Sequence, residues 1–236
     1  HAGGGGRRAR AWTTGEEGDV STSGSRYIVV EGPIGVGKTS LARRLAASLD
    51  SELLLEGPEE NPFLERFYRD PSAALPTQLF FLFQRARQIQ QMRQTDLFNP
   101  ARVSDFMLEK DAIFARLTLG DEEYALYEQV YRTLSLDAPT PDLVVYLQAP
   151  VDVLMERVRN RGIDYEQSIE PDYLASLNHA YMRYFHRYES TPLLIVNAAE
   201  IDPVNNDRDY EELLATIRKI RGGRHYYNPM AFGDAD

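Results

Sequence analysis

A glycine-rich stretch near the start of the chain has the residue types and spacing of a phosphate-binding loop. Gly32, Gly37, Lys38 and Thr39 fill the pattern G-x-x-x-x-G-K-[ST], and Gly35 lies inside it. In such loops backbone N–H groups surround phosphates, the lysine reaches the terminal ones and the threonine hydroxyl binds Mg²⁺. The motif lies between an apolar run at residues 27–30 and a helical pattern that begins near residue 40, as its mechanism requires.

A glutamate at the end of the second apolar run is a candidate general base. Glu56 follows three leucines and precedes a Gly-Pro pair, which ends a strand and turns the chain. A carboxylate at this point faces the phosphate site and can accept the proton of an acceptor hydroxyl as the bond to phosphorus forms. Two further glutamates follow closely, so a solvated loop acid is the alternative that position alone leaves open.

A helix predicted over residues 75–92 carries two polar side chains that can enter the same cleft. Gln78 and Arg85 are seven residues apart, which places them about two turns apart on one helix face. The amide of Gln78 can donate to and accept from the edge of a nucleobase, and Arg85 can pair with a carboxylate such as Glu56. A polar, solvated helix face is the alternative.

Asp105 is a candidate magnesium ligand because it directly follows a strand-like run at residues 102–104. A carboxylate there can reach the Mg²⁺ region directly or through a water molecule. Capping of the next helix is the alternative, since Asp is a favoured N-cap residue. The apolar residues 106–108 separate Asp105 from the helical pattern and make a cap less natural.

Three arginines end a helical pattern that begins near residue 151, and they supply a basic cluster in an acidic chain. They are Arg157, Arg159 and Arg161, and Gly162 follows them. Cations at a helix C-terminus complement the helix dipole, an effect worth roughly a few tenths of a kcal/mol each. The alternative is a lid whose guanidinium groups offset the charge of a phosphoryl group in transfer, with Gly162 as the break at which the segment moves.

Five short apolar runs predict the strands that must position these residues. They lie at residues 27–30, 53–55, 102–104, 143–147 and 193–196, with helical patterns between them. Continuous rather than alternating apolar character predicts parallel strands covered on both faces, and ligands bind beyond the carboxyl ends of such strands. The predicted fold is an α/β domain of the P-loop NTPase type, three layers (α/β/α) with a five-stranded parallel sheet and a helical lid.

The composition restricts the classes of function. The 236 residues suffice for one sizeable domain with a buried core. A net charge of −10 disfavours nucleic acid or an anionic membrane as a main partner, so an anionic ligand needs a local cluster of basic groups. The sequence has no cysteine, which excludes disulfides and thiolate chemistry and fits a cytoplasmic protein.

The domain is predicted to span residues 27–220. Residues 1–26 are rich in Gly, Ser and Thr and have little to bury, so they are expected to be a disordered N-terminal extension. Residues 221–236 are expected to be a C-terminal tail that packs loosely or not at all. No apolar stretch approaches the length of a membrane span.

Taken together, the motifs resemble the deoxynucleoside kinase family, in its bacterial deoxyguanosine and deoxyadenosine kinase branch. The resemblance covers residues 27–217 and rests on YIVVEGPIGVGKTSLARRL, LEGPEENPFLERFY, TQLFFLFQRARQ, SDFMLEKDAIFA and RGIDYEQSIEPDYL. It implies transfer of the γ-phosphoryl group of ATP, with Mg²⁺, to the 5′-hydroxyl group of a deoxynucleoside in nucleotide salvage. It further implies a preference for purine deoxynucleosides and a homodimer.

The resemblance implies roles for the residues that would bind the acceptor. Glu56 is the general base, and Arg85 is the partner of this catalytic carboxylate. Gln78 reads the edge of the base. Tyr68 contacts the 3′-hydroxyl group of the sugar, and Glu166 lies near the sugar.

The resemblance also implies which residues bind the donor and the metal. Arg157 and Arg161 are lid arginines and act with Lys38 on the phosphoryl group. Asp105 matches the acidic member of an acid-Arg-Ser/Thr motif and, with Thr39, holds Mg²⁺. The adenine is expected near residues 197–206. The remaining contacts to ATP come from the loop, namely Gly32, Gly35, Val36, Gly37, Lys38, Thr39 and Ser40.

The sequence departs from the family pattern at two positions. Phe106 stands where many members have Arg, and Ile163 stands where a third lid arginine is expected. The contact usually made from position 106 is then expected from Arg85 or a lid arginine. Arg159 is a candidate to compensate for Ile163.

Two other functions remain open at this point. A nucleoside monophosphate kinase, such as one that acts on thymidylate, would share the loop, sheet and lid but needs extra arginines for its acceptor phosphate. Phe106 together with Glu56 favours a neutral acceptor instead. A nucleotide-dependent switch or binding module is the second alternative, although the sequence has no N-K-x-D pattern for reading guanine.

Overall fold

Six parallel strands form one sheet in the computed structural model, which describes residues 26–95, 101–134 and 138–228. The strands are β1 (Tyr27–Glu31), β2 (Glu52–Leu54), β3 (Arg102–Ser104), β4 (Leu143–Gln148), β5 (Leu193–Asn197) and β6 (Arg224–Tyr227). They lie side by side in the order β2-β3-β1-β4-β5-β6, and every neighbouring pair is parallel.

Helices connect the strands. They are α1 (Lys38–Ser48), α2 (Leu64–Phe67), α3 (Ala74–Thr95), α4 (Lys110–Thr118), α5 (Asp121–Leu134), α6 (Val151–Arg161), α7 (Pro171–His186) and α8 (Asp207–Lys219). A 3₁₀ turn at Asp164–Ser168 follows α6. Within the part of the chain that the structure describes, none of these helices has the length and apolar character needed to cross a membrane.

Both faces of the central strands are covered. In β1 the residues Ile28, Val29 and Val30 are buried in succession, and β4 is buried from Leu143 to Leu147. Successive side chains of a strand point to opposite faces, so burial of all of them requires packing on both sides of the sheet. The arrangement is the three-layer α/β/α fold predicted from the sequence.

The helices pack through apolar stripes, as α8 illustrates. Its buried residues are Tyr210, Leu213, Leu214 and Ile217, a spacing that forms one face of a helix. The side chain of Asn206 caps the helix by accepting from the backbone N–H groups of Arg208 and Asp209. The sequence therefore fixes both where α8 begins and which side it buries.

The order of the strands creates the crevice in which a ligand would bind. From β1 the chain moves to one side of the sheet for β2 and β3, and to the other side for the last three strands. Ligands of open parallel sheets bind at the carboxyl ends where the order reverses in this way. The segments after β1, β2 and β3, which carry the loop at 32–39, Glu56 and Asp105, meet at this point.

The predicted count of five strands is wrong by one. β6 lies within residues 221–236, which were expected to form a loosely packed tail, and it pairs with β5. Arg224 also donates to the backbone carbonyls of Phe185 and Tyr188 at the end of α7. The sequence RHYY gives no continuous apolar run because an edge strand is only partly buried. Apart from Arg26, the predicted extension at 1–26 lies outside the described residues, as do residues 229–236.

Candidate active site

The phosphate loop connects β1 to the N-terminus of α1. Gly35 (φ 84°) and Gly37 (φ 101°) take the left-handed backbone conformation that favours glycine. A Cβ atom on Gly35 would lie 2.8 Å from the carbonyl oxygen of Leu154 in α6, so only glycine permits this close packing. The N-terminus of α1 directs unpaired N–H groups and the positive end of its dipole at the loop, which favours an anion. The other residues predicted to bind ATP lie in the same stretch: Gly32, Val36, Lys38, Thr39 and Ser40.

Asp105 ties the phosphate loop to the segment that carries Glu56. One carboxylate oxygen accepts a hydrogen bond from Thr39 Oγ1 at 2.5 Å, and the other accepts from the backbone N–H of Glu56 at 2.8 Å. A hydroxyl and a carboxylate in contact are the kind of oxygen donors that Mg²⁺ takes together with phosphate oxygens and water. No group of three or more His, Asp or Glu side chains among the described residues is placed to hold a metal. Thr39 and Asp105 therefore fit a Mg²⁺ ion that arrives bound to the phosphates of a nucleotide.

The carboxylate of Glu56 lies between two cations. Arg85 Nη2 is 2.5 Å from Oε1, and Lys110 Nζ is 2.7 Å from Oε2. Arg85 is wholly buried and Lys110 nearly so, whereas 16% of the Glu56 side chain is exposed to the cleft. Charge-assisted hydrogen bonds of this length are among the stronger contacts that a protein makes.

These cations determine the ionisation of Glu56. Burial alone would raise its pKa, but Lys110, Arg85 and Lys38 outweigh burial and hold the pKa of Glu56 well below its usual range. Burial and the nearby Lys110 ammonium lower the pKa of Lys38. Glu56 is therefore an ionised carboxylate in the cleft at neutral pH.

Three residues of this network are absent from the sequence predictions. Glu31, at the end of β1, is fully buried and accepts from the backbone N–H groups of Gly32 and Met107. Lys110 reaches it at 3.9 Å. Asp111 lies 3.5 Å from Arg85 Nε, and burial raises the pKa of Asp111 to about 6 although Arg85 and Lys110 oppose the rise.

One feature of the sequence could have indicated a special role for Lys110. It is one of only three lysines in the chain, with Lys38 and Lys219, whereas the other basic residues are arginines. Lys110 and Asp111 open α4 in the stretch EKDAIF, which has the polar character of an ordinary solvated helix start. Their burial depends on the packing of α3 and α7 against α4, which local patterns do not reveal.

Phe106 is buried beneath Arg85. The guanidinium carbon of Arg85 lies 4.5 Å from the centroid of the Phe106 ring, a cation–π contact. Arg85 thus contacts Glu56 as expected, but the second cation on Glu56 is Lys110 rather than a lid arginine. A basic group therefore reaches Glu56 from the first turn of α4.

A cleft opens from this network between the phosphate loop, α3 and α4. Gln78 on α3 borders it with only 3% of the residue exposed. Asp111 also borders the cleft, and its Oδ2 has no hydrogen-bond partner among the described residues. Arg85 lies behind Glu56. The predicted site residues that the cleft brings together are Gly35, Lys38, Thr39, Glu56, Tyr68, Gln78, Asp105, Arg161 and Glu166.

Aromatic rings form much of the remaining wall of the cleft. Tyr68 and Tyr173 border the cleft and meet edge to face, and Tyr165 stacks on Tyr68 from outside the lining, with ring planes within 3° and centroids 6.3 Å apart. Phe81 of α3 and Phe114 of α4 also border the space. A flat ring entering the cleft therefore meets apolar surface, with polar groups at a few fixed points.

The predicted lid arginines occupy different places. Arg161, the last residue of α6, forms an ion pair with Glu166 at the cleft. Arg157 instead donates to the backbone carbonyls of Ala198 at 2.7 Å and Val36 at 3.4 Å, so it lies between the phosphate loop and the segment after β5. Arg159 is on the exposed face of α6, and the structure does not bring it to the cleft.

The segment predicted to receive the adenine begins beside the phosphate loop. It starts at the end of β5, where the contact of Arg157 with Ala198 joins it to the loop. Asp202 orders the segment by accepting from the backbone N–H groups of Val204 and Asn205. Its contact with adenine remains a prediction.

Comparison with known proteins identifies the family. The family model described as deoxynucleoside kinase matches residues 28–221. A deoxyguanosine kinase of Bacillus subtilis (strain 168) is 31% identical over 200 residues, covering 82% of this chain and 97% of the relative. A deoxyadenosine kinase of Lactobacillus acidophilus is 30% identical over 212 residues, covering 83% and 97%.

A solved structure shows the same fold. A deoxyadenosine kinase from M. mycoides, determined with the products dCMP and a flexible dCDP bound, superimposes with a TM-score of 0.72 at 25% sequence identity. The match covers 82% of this chain and all of that one. The three-layer fold and the family match therefore agree.

Proposed function

The chain belongs to the deoxynucleoside kinase family, and on that premise we propose that it transfers the γ-phosphoryl group of ATP to the 5′-hydroxyl group of a deoxynucleoside in nucleotide salvage. The observation that carries the proposal is the single cleft shared by Lys38 and Thr39 of the phosphate loop with Glu56 and Gln78. Donor and acceptor groups meet there. Relatives named for deoxyguanosine and deoxyadenosine support a preference for purine deoxynucleosides.

The phosphate loop holds the donor. Its backbone N–H groups and the N-terminus of α1 bind the phosphates, and Lys38 contacts the terminal ones. Arg157 connects the loop to the segment at 197–206, which receives the adenine. Arg161 lies at the cleft and offsets charge on the phosphoryl group in transfer.

Thr39 and Asp105 would hold Mg²⁺ with the phosphates of ATP. The ion supplies charge neutralisation for the phosphoryl oxygens when it is bound. Asp105 also fixes the backbone of Glu56, so the donor and acceptor sides are joined through one carboxylate.

Glu56 accepts the proton of the acceptor. The bond between O5′ of the nucleoside and the γ-phosphorus forms, the bond from that phosphorus to the bridging oxygen of ADP breaks, and the hydroxyl proton passes to a Glu56 oxygen. Arg85 orients the carboxylate through its other oxygen.

The base is recognised by two polar groups among aromatic rings. The amide of Gln78 pairs with the base edge as donor and acceptor. The unpartnered Oδ2 of Asp111 accepts from an N–H group of the base, which relieves the cost of leaving a buried oxygen unsatisfied. Tyr68 and Glu166 contact the sugar, and Phe81 packs against the ring.

The test is phosphorylation of deoxyadenosine, deoxyguanosine, deoxycytidine and thymidine with Mg-ATP, with nucleoside monophosphates separated by chromatography. We expect monophosphate from the purine deoxynucleosides at the highest rates. Thymidylate and deoxyguanylate serve as acceptors in parallel reactions. Diphosphate formed from those acceptors, with no monophosphate from any nucleoside, would identify a nucleoside monophosphate kinase instead.

We further propose a homodimer in the cytoplasm. Helices α3 and α5 pack against each other and leave Phe83 and Leu126 about half exposed, which suits burial against a second copy. The absence of cysteine accords with a reducing compartment. Light scattering of the purified chain tests the dimer, and a monomeric mass at micromolar concentration would contradict it.

A further inference from the structure

Lysine is rare in this chain, and two of its three lysines meet in one cleft. The sequence has 26 basic residues, of which only Lys38, Lys110 and Lys219 are lysines. Lys38 belongs to the phosphate loop, and Lys219 lies exposed near the end of α8. Lys110 opens α4 and borders the same cleft as Lys38.

Among the residues that the structure describes, the side chain of Lys110 contacts groups of the site. Its Nζ lies 2.7 Å from Glu56 Oε2 and 3.9 Å from Glu31 Oε1, and the side chain is 3% exposed. The ring of Phe114 is 5.9 Å away. A buried ammonium group needs such anionic partners because burial without them is costly.

The two cations on Glu56 differ in how they are held. Arg85 is contacted from several sides, by a hydrogen bond to Glu56, by the Asp111 carboxylate at 3.5 Å and by the face of the Phe106 ring. Lys110 carries its charge on a flexible four-carbon stem with rotatable donors, so it can exchange one anion for another without moving α4.

In the observed arrangement each oxygen of Glu56 accepts from a cation. Arg85 occupies Oε1 and Lys110 occupies Oε2. A carboxylate oxygen that already binds an ammonium group competes poorly for a hydroxyl proton. Withdrawal of one cation when the acceptor arrives would restore the basicity of one Glu56 oxygen, and Lys110 is the cation with the freedom to withdraw.

We propose that Lys110 is a catalytic residue that holds Glu56 before the substrates bind and then moves its ammonium group onto the phosphoryl group in transfer, which frees Glu56 Oε2 for the acceptor hydroxyl. The inference rests on the proposed kinase function. Lys110 thereby supplies, from four residues further along the chain, the basic group that Phe106 cannot supply. The phosphoryl oxygens then lie between Lys38 and Lys110, where the repulsion between these two ammonium groups is relieved.

The scarcity of lysine allows a direct test of the movement. Protein grown with ¹³C,¹⁵N-lysine has side-chain signals from three lysines only, and Lys110→Arg and Lys219→Arg variants assign two of them. We expect the Lys110 Nζ and Cε signals to shift when AMPPNP, Mg²⁺ and deoxyguanosine or deoxyadenosine are all present, and to shift little with the nucleoside alone. An unchanged Lys110 signal in a complex that shifts the Lys38 signal would overturn the proposal.

Kinetics of three variants separates catalysis from structure. We expect Lys110→Met to lower kcat by about 100-fold or more while the nucleoside KM changes by less than about threefold, since a contact made mainly in the transition state is lost. Lys110→Arg should recover at least about tenfold of that kcat because it restores the charge. Lys219→Met, an equal loss of charge on the surface, should match the wild type.

The remaining outcomes are distinguishable. A wild-type chain that phosphorylates no nucleoside contradicts the proposed function, whereas an active wild type with an equally active Lys110→Met contradicts only the role of Lys110. If Lys110→Met fails to fold, as its thermal unfolding will show, Lys110→Arg and the lysine signals decide. A Lys110→Met effect confined to KM would mean that the residue contributes to binding and not to the transfer step, which would overturn the proposal.

Discussion

The side chain of Glu56 forms ion pairs with cations from two different helices. Arg85 belongs to α3 and Lys110 belongs to α4. The carboxylate balances both of these cations at once, and it is also the group that must meet the acceptor. Its charge therefore serves stability as well as chemistry. A substitution that keeps the shape and removes the charge separates these effects from a loss of packing.

For Glu56→Gln we expect kcat to fall by about 10²–10⁴, the usual contribution of a general base. The free energy of unfolding should fall by roughly 3 kcal/mol because two buried cations lose their partner. AMPPNP affinity, measured by calorimetry, should stay close to the wild-type value. Glu59→Gln, at an exposed carboxylate in the same loop, is the control and should behave as wild type. Turnover by Glu56→Gln within threefold of wild type would rule out Glu56 as the base.

Asp111 makes stability depend on pH in a window set by its pKa of about 6. Burial raises this pKa above the unfolded value, so the native state holds the proton more tightly, and the stabilisation present at low pH is lost as pH rises through 6. The Asp111→Asn variant has no ionisable carboxyl group at this position. The free energy of unfolding of the wild type relative to the variant should therefore decrease by up to about 3 kcal/mol between pH 4 and pH 7.

Urea unfolding of both proteins at several pH values measures this difference. Working with the difference cancels the titration of the other carboxylates, provided that they are common to both chains. A difference that stays constant across the window would show that Asp111 ionises as an ordinary surface carboxyl does.

At the scale of elements, α3 organises the acceptor side of the site. Besides presenting Gln78 and Arg85, it holds the chain on either side of Glu56. Gln88 Nε2 donates to the carbonyl of Leu55 at 2.7 Å, and Gln84 Nε2 donates to that of Gly57 at 3.3 Å. One helix thus fixes both the backbone and the side chain of the proposed base.

Gln88→Ala removes the hydrogen bond to the backbone carbonyl of Leu55 and changes no residue that is proposed to contact a substrate. We expect a loss of about 1 kcal/mol in the free energy of unfolding from the missing hydrogen bond. Because small displacements of catalytic groups are costly, kcat should fall by roughly tenfold with little change in AMPPNP affinity. Gln90→Ala, on the exposed face of the same helix, provides the comparison. Equal kcat values for the two variants would show that the hydrogen bond from Gln88 does not position Glu56.

The same elements show why some parts of the site follow from sequence and others do not. The loop at 32–39 and Asp105 follow apolar strands, so local pattern and the topology of parallel sheets were enough to bring them together. Lys110 and Asp111 required knowledge of how α4 packs, because a charged helix start has the same sequence pattern whether it is solvated or buried. β6 was not predicted for a related reason, since pairing with β5, and not an apolar pattern in its own residues, makes it a strand.

For the molecule as a whole, β6 forms one edge of the sheet and is hydrogen-bonded to the end of α7 through Arg224. Three backbone carbonyls at that end accept from the guanidinium of Arg224. A chain that ends at Gly223 loses these contacts and the pairing with β5. We expect its Tm to fall by roughly 5–10 °C, on the scale of a few degrees per kcal/mol for a chain of this size.

A chain that ends at Asn228 keeps β6 and is the matched control in calorimetry. Below the transition, both truncated chains should retain the wild-type kcat, because β6 lies at the edge of the sheet, three strands from β1. A lower kcat in the chain that ends at Gly223 alone would mean that the sheet edge influences the cleft. Equal Tm values for the two chains would show that β6 adds little stability.

The close approach of Gly35 to Leu154 also has a mechanical consequence. The phosphate loop rests directly on the backbone of α6, and Arg157 adds a hydrogen bond from that helix to Val36. The phosphate loop and α6 are therefore expected to move together as one rigid unit. Arg161 ends α6 before Gly162, so its backbone stays in register with the nucleotide-binding loop, and a rotation at Gly162 would move only the segment that follows.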